Sequence, residues 1–158
     1  MAGYGTDQGF TDWLITNGHV LPENAPAPAI LRQRGSQYID GLYGSRFSGL
    51  PTGGCAQDRA WPRSDASAHG QEIPADVIPV AVEEAAYAAA LQEAIKPGSL
   101  SVTATSAGSL KRKKIDVIEK EYFEGSGDAL ADNTLRLSAV EGLLTPYFSA
   151  PQIAVFVV

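Results

Sequence analysis

The chain has 158 residues, of which 44% are hydrophobic and 19% charged, and its formal net charge is −6. This length predicts one domain with a single core, and the acidic balance excludes long-range attraction to a phosphate backbone, so any contact with nucleic acid would be local or indirect. The single cysteine, Cys55, excludes an internal disulfide and a thiolate-rich zinc site. No apolar run reaches the roughly 18 residues of a membrane-spanning helix.

Two helices are predicted in the first 43 residues. Thr6 is suited to cap a short first helix, whose apolar residues recur at helical spacing and which ends before Gly18. A Pro/Ala turn at 22–28 precedes a second helix, which runs to about Tyr43. Polar and charged residues alternate with its apolar stripe and are predicted to face solvent or a partner: Arg32, Arg34, Gln37 and Asp40.

Residues 44–79 are predicted to form a long ordered loop, because Gly, Pro, Ser and Asp replace helical periodicity there. The sequence AWPR within it places Trp61 and Pro62 between Arg59 and Arg63. We expect the Trp61 indole to cover the end of the helical core, with one of the two arginines stacked over it or paired with a carboxylate. A ligand or partner site at Trp61 is the alternative.

The strongest predicted helix extends from Val80 to Ile95, directly after Pro79. It is rich in Ala, Leu and Glu, which lose little entropy in a helix, and it ends at Lys96 before a Pro-Gly pair. Its many alanines would permit the close approach of a neighbouring helix. One face is predicted to contain Val80, Glu84, Tyr87, Leu91 and Ala94.

Residues 110–124 are predicted to form a β-hairpin that turns near Asp116. A basic run in the first strand, Lys111, Arg112, Lys113 and Lys114, would stand opposite Glu119, Glu121 and Glu124, which favours cross-strand ion pairs. Tyr122 and Phe123 lie nearby, and a mixture of cations and aromatic rings can also contact a single DNA strand. The pleat, however, would divide the four cations between two faces.

The C-terminal part is predicted to contain a short helix and an arm. Ser138 and Glu141 form an S-x-x-E capping box, and Pro146 would bend the helix that follows. The apolar run IAVFVV needs a partner strand or groove, so residues 150–158 are predicted to extend as an arm.

The predicted fold is mainly α: one domain, 1–149, forms a small bundle of about four helices with loop 44–79 and hairpin 110–124.

No sequence pattern indicates a catalytic, metal or cofactor site. His19 and His69 lack a ligand partner at metal-binding spacing, and the glycine-rich stretches GLYGSRFSG and GSGD lack the Lys-Ser/Thr ending of a phosphate-binding loop. A G-x-S-x-G nucleophile motif is also missing from the sequence. We therefore expect a non-enzymatic protein that uses no cofactor.

The order of these features resembles a family of tailed-bacteriophage proteins, the DnaT-like single-stranded DNA-binding proteins, whose architecture is similar to that of head-to-tail connector (adaptor) proteins. The resemblance covers residues 4–148. Its most specific parts are YIDGLYGSRF at 38–47, AWPR at 60–63 and the segment IP-x-x-x-IP-x-AV at 73–82. The hairpin and the last helix match in character more than in letters.

The resemblance implies a structural protein of the virion neck. Such a connector forms a ring, usually of twelve copies, docks on the portal protein, joins it to tail or neck proteins and lets genomic double-stranded DNA pass during ejection. It would reside in the host cytoplasm during virus assembly. The resemblance implies three sets of functional residues. The arm would bind the portal through Pro151, Gln152, Ile153, Ala154, Val155, Phe156, Val157 and Val158. The loop would be anchored at a subunit boundary by Arg59, Trp61, Pro62 and Arg63, and the lumen or a neighbouring subunit would be contacted by Lys111, Arg112, Lys113 and Lys114.

The alternative interpretation is a DnaT-like single-stranded DNA-binding accessory protein of replication. The two interpretations differ in what they require of the basic run. A DNA-binding protein needs Lys111 to Lys114 on one open face beside an aromatic ring, whereas a connector needs them for contacts with the lumen or a neighbouring subunit.

Overall fold

A computed structural model of the chain describes residues 2–101, 112–115, 118–121 and 135–149, and for the two segments between 112 and 121 it describes the backbone alone. These ranges contain four α-helices: α1 (Asp7–Thr16), α2 (Pro28–Tyr43), α3 (Val80–Ile95) and α4 (Ser138–Leu144), the last followed by a 3-10 turn at Thr145–Tyr147. None of the helices in the described ranges is both long and apolar enough to span a membrane.

Six short strands form three antiparallel pairs within the same ranges. They are β1 (Leu50–Pro51) with β2 (Arg63–Ser64), β3 (Ala66–Ala68) with β4 (Gln71–Ile73), and β5 (Arg112–Ile115) with β6 (Ile118–Glu121). The fold is therefore a small helical domain with hairpins. The prediction that residues 44–79 form a loop alone is wrong, because this segment contains β1 to β4. These strands have two or three residues each, too few for a period-two pattern to be visible.

Local sequence signals predict the boundaries of two of the four helices, α1 and α3. The Thr6 side chain caps α1 by accepting a hydrogen bond from the Gly9 amide at 2.9 Å, and α3 occupies the predicted range. The predicted capping box of α4 is wrong: Ser138 is already the first helical residue, and Leu137 at the N-cap position makes no side-chain cap. Pro146 lies in the 3-10 turn after α4 and not within the helix.

Helix α3 lies at the centre of the fold and packs against α2 and α4. Gly35 of α2 lies directly on it: a Cβ at this position would overlap the Ala86 carbonyl oxygen and come within 2.9 Å of the Ala90 nitrogen. The alanines of α3 thus permit the close helix approach that the sequence predicts. Of the residues predicted to share one face, Tyr87, Leu91 and Ala94 are buried, whereas Val80, the first residue of α3, is 67% exposed.

Two clusters of buried apolar side chains form the core, and α3 contributes to both. One cluster gathers around α2 and α4 and includes Tyr4, Ile39, Trp61, Val140 and Leu144. The other lies between α1 and α3 and includes Phe10, Leu14, Leu31, Tyr87 and Leu91.

The prediction that Arg32 and Asp40 face solvent or a partner is wrong. The Arg32 guanidinium is buried, donates to the carbonyl oxygens of residues 3–5 and pairs with Asp7 at 2.7 Å. Asp40 accepts a hydrogen bond from Tyr4 and pairs with Arg59 at 3.2 Å. Residues 2–5 fold over α2 and cover both side chains, a long-range contact that helical periodicity cannot reveal.

Candidate functional site

The AWPR segment lies in the core of the molecule. Trp61 is 1% exposed and its ring meets those of Phe47 and Tyr147 edge-on, at centroid distances of 5.6 and 6.1 Å. With this burial the indole offers no surface to a ligand, which argues against a ligand or partner site at Trp61. Its contacts hold the segment 44–79 against the helices.

The two arginines that flank this segment bond within their own chain. Arg63 donates to the carbonyl oxygens of Ser48, Gly49 and Ala60 at 2.6 to 3.1 Å, and burial lowers the pKa of its guanidinium. Arg59 bonds the Ala2 carbonyl in addition to Asp40. Both side chains therefore close the loop onto itself and onto the N-terminal segment, while a role at a subunit boundary stays a prediction.

Strands β5 and β6 contain most of the predicted basic run. Their register places Arg112 opposite Glu121 and Lys114 opposite Glu119, the opposition of charges that the sequence predicts, whereas Lys113 stands opposite Lys120. Directly opposite residues share one face of an antiparallel ladder, so the cations are divided between two faces. Lys111, Tyr122, Phe123 and Glu124 lie outside the described residues, as do the predicted turn and the arm at Pro151–Val158.

An exposed arginine stacked on an aromatic ring marks the most distinctive surface of the described chain. The Arg46 guanidinium carbon lies 4.0 Å from the centroid of the Phe148 ring and 5.5 Å from that of Tyr43. The Tyr43 and Phe148 rings are themselves stacked, 5.7 Å apart and inclined by 16°. We call Arg46, Phe148 and the neighbouring Arg136 and Glu141 the Arg46–Phe148 surface.

Backbone hydrogen bonds hold this surface in place. The Ser48 amide donates to the Tyr147 carbonyl at 2.9 Å, and the Ser149 amide donates to the Arg46 carbonyl at 2.8 Å. Phe47 and Phe148 form an antiparallel bridge between these bonds. The chain before β1 and the chain after α4 are thus fixed side by side, so Arg46 and Phe148 need little rearrangement to act together.

The Arg46–Phe148 surface contains two cations and one anion. Arg46 pairs with Glu141 at 3.1 Å, and Arg136 lies 4.0 Å from the same carboxylate oxygen. The arginine side chains are 42% and 60% exposed. Two cations share one carboxylate, which leaves a local positive charge on an acidic protein. Guanidinium groups suit phosphate oxygens, and an aromatic ring beside them suits an unpaired base.

A groove of about 700 Å³ lies beside the middle of α2, between α2 and the turn after α3. Its lining residues are Arg34, Gln37, Tyr38, Glu93, Pro97, Gly98, Leu100 and Ser101. The Glu93 carboxylate is nearly fully buried and accepts hydrogen bonds from Arg34 at 3.0 Å and from the Gly98 amide at 2.9 Å. The Tyr38 hydroxyl donates to the Leu135 carbonyl at 2.7 Å, and burial raises the pKa of Tyr38, so the phenol stays protonated.

Sequence reasoning missed the Arg46–Phe148 surface. Arg46 and Phe148 are far apart in the sequence, and no local pattern connects them. The one available signal is that each stands beside another aromatic residue just after a helix, in the stretches YGSRF and TPYF. Within the ranges that the structure describes, no group of His, Cys, Asp or Glu side chains is arranged to hold a metal ion.

Comparison with protein families gives one match that covers almost the entire chain. The model of a family described as "Putative DnaT-like ssDNA binding protein" matches residues 3–158. No curated protein and no solved structure matches the chain.

The family match corrects the prediction of a phage head-to-tail connector. The description of the matching family specifies single-stranded DNA binding and contains no virion role. The predicted function as a structural neck protein is therefore wrong, and with it the predicted partners: a twelve-membered ring, a portal protein, tail proteins and passing genomic duplex. The match favours the alternative interpretation, a single-stranded DNA-binding protein.

Proposed function

The chain belongs to the family of DnaT-like single-stranded DNA-binding proteins, and from this membership we propose that it binds single-stranded DNA as an accessory protein of replication. The match over residues 3–158 is the observation that carries this proposal. We further propose that the protein acts by binding alone, without catalysing a reaction, and that it works in the cytoplasm, where replication exposes single strands.

The Arg46–Phe148 surface is the place where we propose that DNA binds. A surface for single strands needs cations for the phosphates and an aromatic ring for the bases. Arg46 and Arg136 supply the cations, and both are substantially exposed. Phe148 is half-buried, with Arg46 over its ring. Each guanidinium group would bind one phosphate of the strand, while a base would stack against the ring or the guanidinium plane.

Glu141 sets the strength of this contact. Its carboxylate pairs with Arg46 and approaches Arg136 in the free protein. A phosphate must therefore displace this carboxylate from the two arginines or share them with it. The remaining positive charge is small, and the chain as a whole repels DNA. We therefore expect weak, salt-sensitive binding that depends on stacking as well as on charge.

Stacking also accounts for a preference for single strands over duplex. In a duplex the base faces are covered by neighbouring pairs, whereas an unpaired strand can turn a base toward a protein ring. The described chain has no long cationic helix face that would suit the major groove, since α2 carries its arginines in ion pairs with Asp7 and Glu93.

The experiment that tests this function is fluorescence anisotropy of a labelled oligothymidine with the full-length protein at low and physiological salt. We expect saturable binding that weakens with salt, and weaker binding to a duplex of the same length. Failure to bind the single strand even at low salt, or tighter binding to the duplex, would contradict the proposal.

A further inference from the structure

The groove between α2 and the turn after α3 lies next to the Arg46–Phe148 surface, and its position relative to that surface is fixed by direct contacts. The Tyr38 hydroxyl in the groove bonds the Leu135 carbonyl at 2.7 Å, and Arg136 follows directly in the chain. The Tyr38 ring meets the Tyr43 ring edge-on at 6.2 Å, and Tyr43 in turn stacks on Phe148. Contacts between aromatic rings and one hydrogen bond to the backbone therefore connect the groove with the Arg46–Phe148 surface.

One cation of each site, Arg34 in the groove and Arg46 at the Arg46–Phe148 surface, lies on α2 or on the chain directly after it. Arg34 is nine residues before Tyr43, which corresponds to about 14 Å along the axis of α2 at about 1.5 Å per residue. Arg46 follows just beyond the helix end. A strand that contacts Arg46 and Arg136 and runs along α2 past the Tyr38–Leu135 contact would next reach Arg34.

The groove is a built site, with a buried charge in its wall. Glu93 is 5% exposed, and its carboxylate holds the Gly98 amide at 2.9 Å and the Leu100 amide at 3.4 Å, which fixes the turn that closes the groove. The same carboxylate orients Arg34 at 3.0 Å. Since three donors compensate its charge, Glu93 positions Arg34 without presenting an open anion to a ligand.

The groove also offers groups that fit a nucleotide. The Arg34 side chain is 47% exposed, and a guanidinium has five N–H donors, of which Glu93 engages one in the described part of the chain. Gln37 is exposed and can both donate to and accept from a base edge. A volume of about 700 Å³ lies within the range of small-ligand sites.

From these contacts we propose that the groove binds a second nucleotide of the same DNA strand, with Arg34 on its phosphate and Gln37 on its base. This inference rests on the proposed function. The bound strand runs from Phe148 along α2 to Arg34, so the protein covers a stretch of several nucleotides, and affinity rises with strand length until both places are filled.

A length series of oligothymidines tests this inference, measured by anisotropy for the wild-type protein, Gln37→Glu and Arg34→Gln. Gln37→Glu adds a negative charge at the rim of the groove and leaves the core unchanged. Asn24→Asp is its matched control, because Asn24 is exposed beside the other core cluster and the substitution changes the net charge equally. If Arg34→Gln proves unstable, Gln37→Glu carries the test, because Gln37 is exposed.

We expect Gln37→Glu and Arg34→Gln to weaken binding of long oligonucleotides about tenfold, and to leave binding of the shortest bound oligonucleotide unchanged. Arg34→Gln should also lower the logarithmic slope of the salt dependence for long strands by about 0.7, the share of one phosphate on a single strand, whereas Gln37→Glu removes no cation and should keep the wild-type slope. Asn24→Asp should behave as the wild type at every length. Equal affinities of wild type and groove variants for long strands would overturn the inference while the proposed function stands. No binding by the wild type at any length would overturn both.

Discussion

The Arg46 guanidinium lies over the face of the Phe148 ring, 4.0 Å from its centroid, although more than a hundred residues separate the two in the chain. The bridge between Phe47 and Phe148 fixes this arrangement before any ligand arrives. A cation and a ring that are already aligned lose little entropy on binding, which favours contact with a flexible strand.

Removal of the ring should weaken DNA binding while retention of a ring should preserve it. We expect Phe148→Leu to lose about 1–3 kcal/mol of binding free energy, the usual value of one base–aromatic stack. Phe148→Tyr keeps the aromatic face and should bind as the wild type does. Anisotropy titrations with oligothymidine measure both, with circular dichroism to verify that each variant is folded. Equal affinity of the Leu and Tyr variants would exclude stacking at Phe148.

Removal of the competing carboxylate should have the opposite effect. Glu141→Gln leaves Arg46 and Arg136 without their shared partner, so the affinity for single-stranded DNA should rise by about three- to tenfold, as expected for the loss of one nearby like charge. Glu23→Gln, an exposed residue with the same charge change, is the control and should have a much smaller effect. If the affinity for single-stranded DNA rises equally in the two variants, the net charge of the protein governs binding and the local pairing with Glu141 does not.

The contact between α2 and α3 should tolerate no added carbon at Gly35. We expect Gly35→Ala to lower the free energy of unfolding by about 1–3 kcal/mol, because the new methyl group meets the Ala86 carbonyl. Gly41→Ala is the matched control in the same helix: nothing lies within 4 Å of its added Cβ, so better helix propensity should stabilise the protein by up to about 1 kcal/mol. Urea denaturation compares the two, and a neutral or stabilising Gly35→Ala would mean that the helices are further apart.

The buried Tyr4–Asp40 hydrogen bond should make stability depend on pH. Burial raises the pKa of the Asp40 carboxyl, and the hydrogen bonds from Tyr4 and Arg59 oppose that rise. Because the folded-state pKa lies above the unfolded value, the contribution of Asp40 to stability is largest below the unfolded pKa and declines as pH rises through the folded one.

Tyr4→Phe removes one of the bonds that favour the ionised carboxylate, so the pKa of Asp40 should rise further. It also leaves the Trp61 amide without its acceptor. We expect a loss of roughly 1–3 kcal/mol near neutral pH, and a smaller loss toward acid, as protonation of Asp40 removes the ionised carboxylate that Tyr4 stabilises. Denaturant midpoints at pH 4 and pH 7 measure the difference, and a loss that is larger at pH 4 would refute the role of Asp40.

Local signals were sufficient for α1 and α3, because Thr6, Pro79 and an uninterrupted alanine-rich run act within one or two helical turns. They were insufficient for β1 to β4, whose pairing depends on the burial of Trp61 and on the carbonyl contacts of Arg63. Arg32 looks like a solvent-facing residue in the helical pattern, and only the N-terminal segment folded over it makes it buried.

The candidate site could not be read from the sequence for the same reason. Arg46 and Phe148 each follow a helix, and their contact arises only when the chain after α4 pairs with the chain before β1. The run Lys111–Lys114 attracts attention because its charges are consecutive, whereas the arginines of the Arg46–Phe148 surface and of the groove become neighbours through the packing of α2, α3 and α4.

The most direct test of single-stranded DNA binding at the Arg46–Phe148 surface is the salt dependence of the oligothymidine binding constant. It is measured for the wild type, Arg136→Gln, the double variant Arg46→Gln/Arg136→Gln and the charge control Asn24→Asp. The logarithmic slope should fall by about 0.7 in the single variant and about 1.4 in the double variant, since each arginine neutralises one phosphate. The control should keep the wild-type slope. Identical slopes for all four proteins would show that the DNA contacts lie elsewhere.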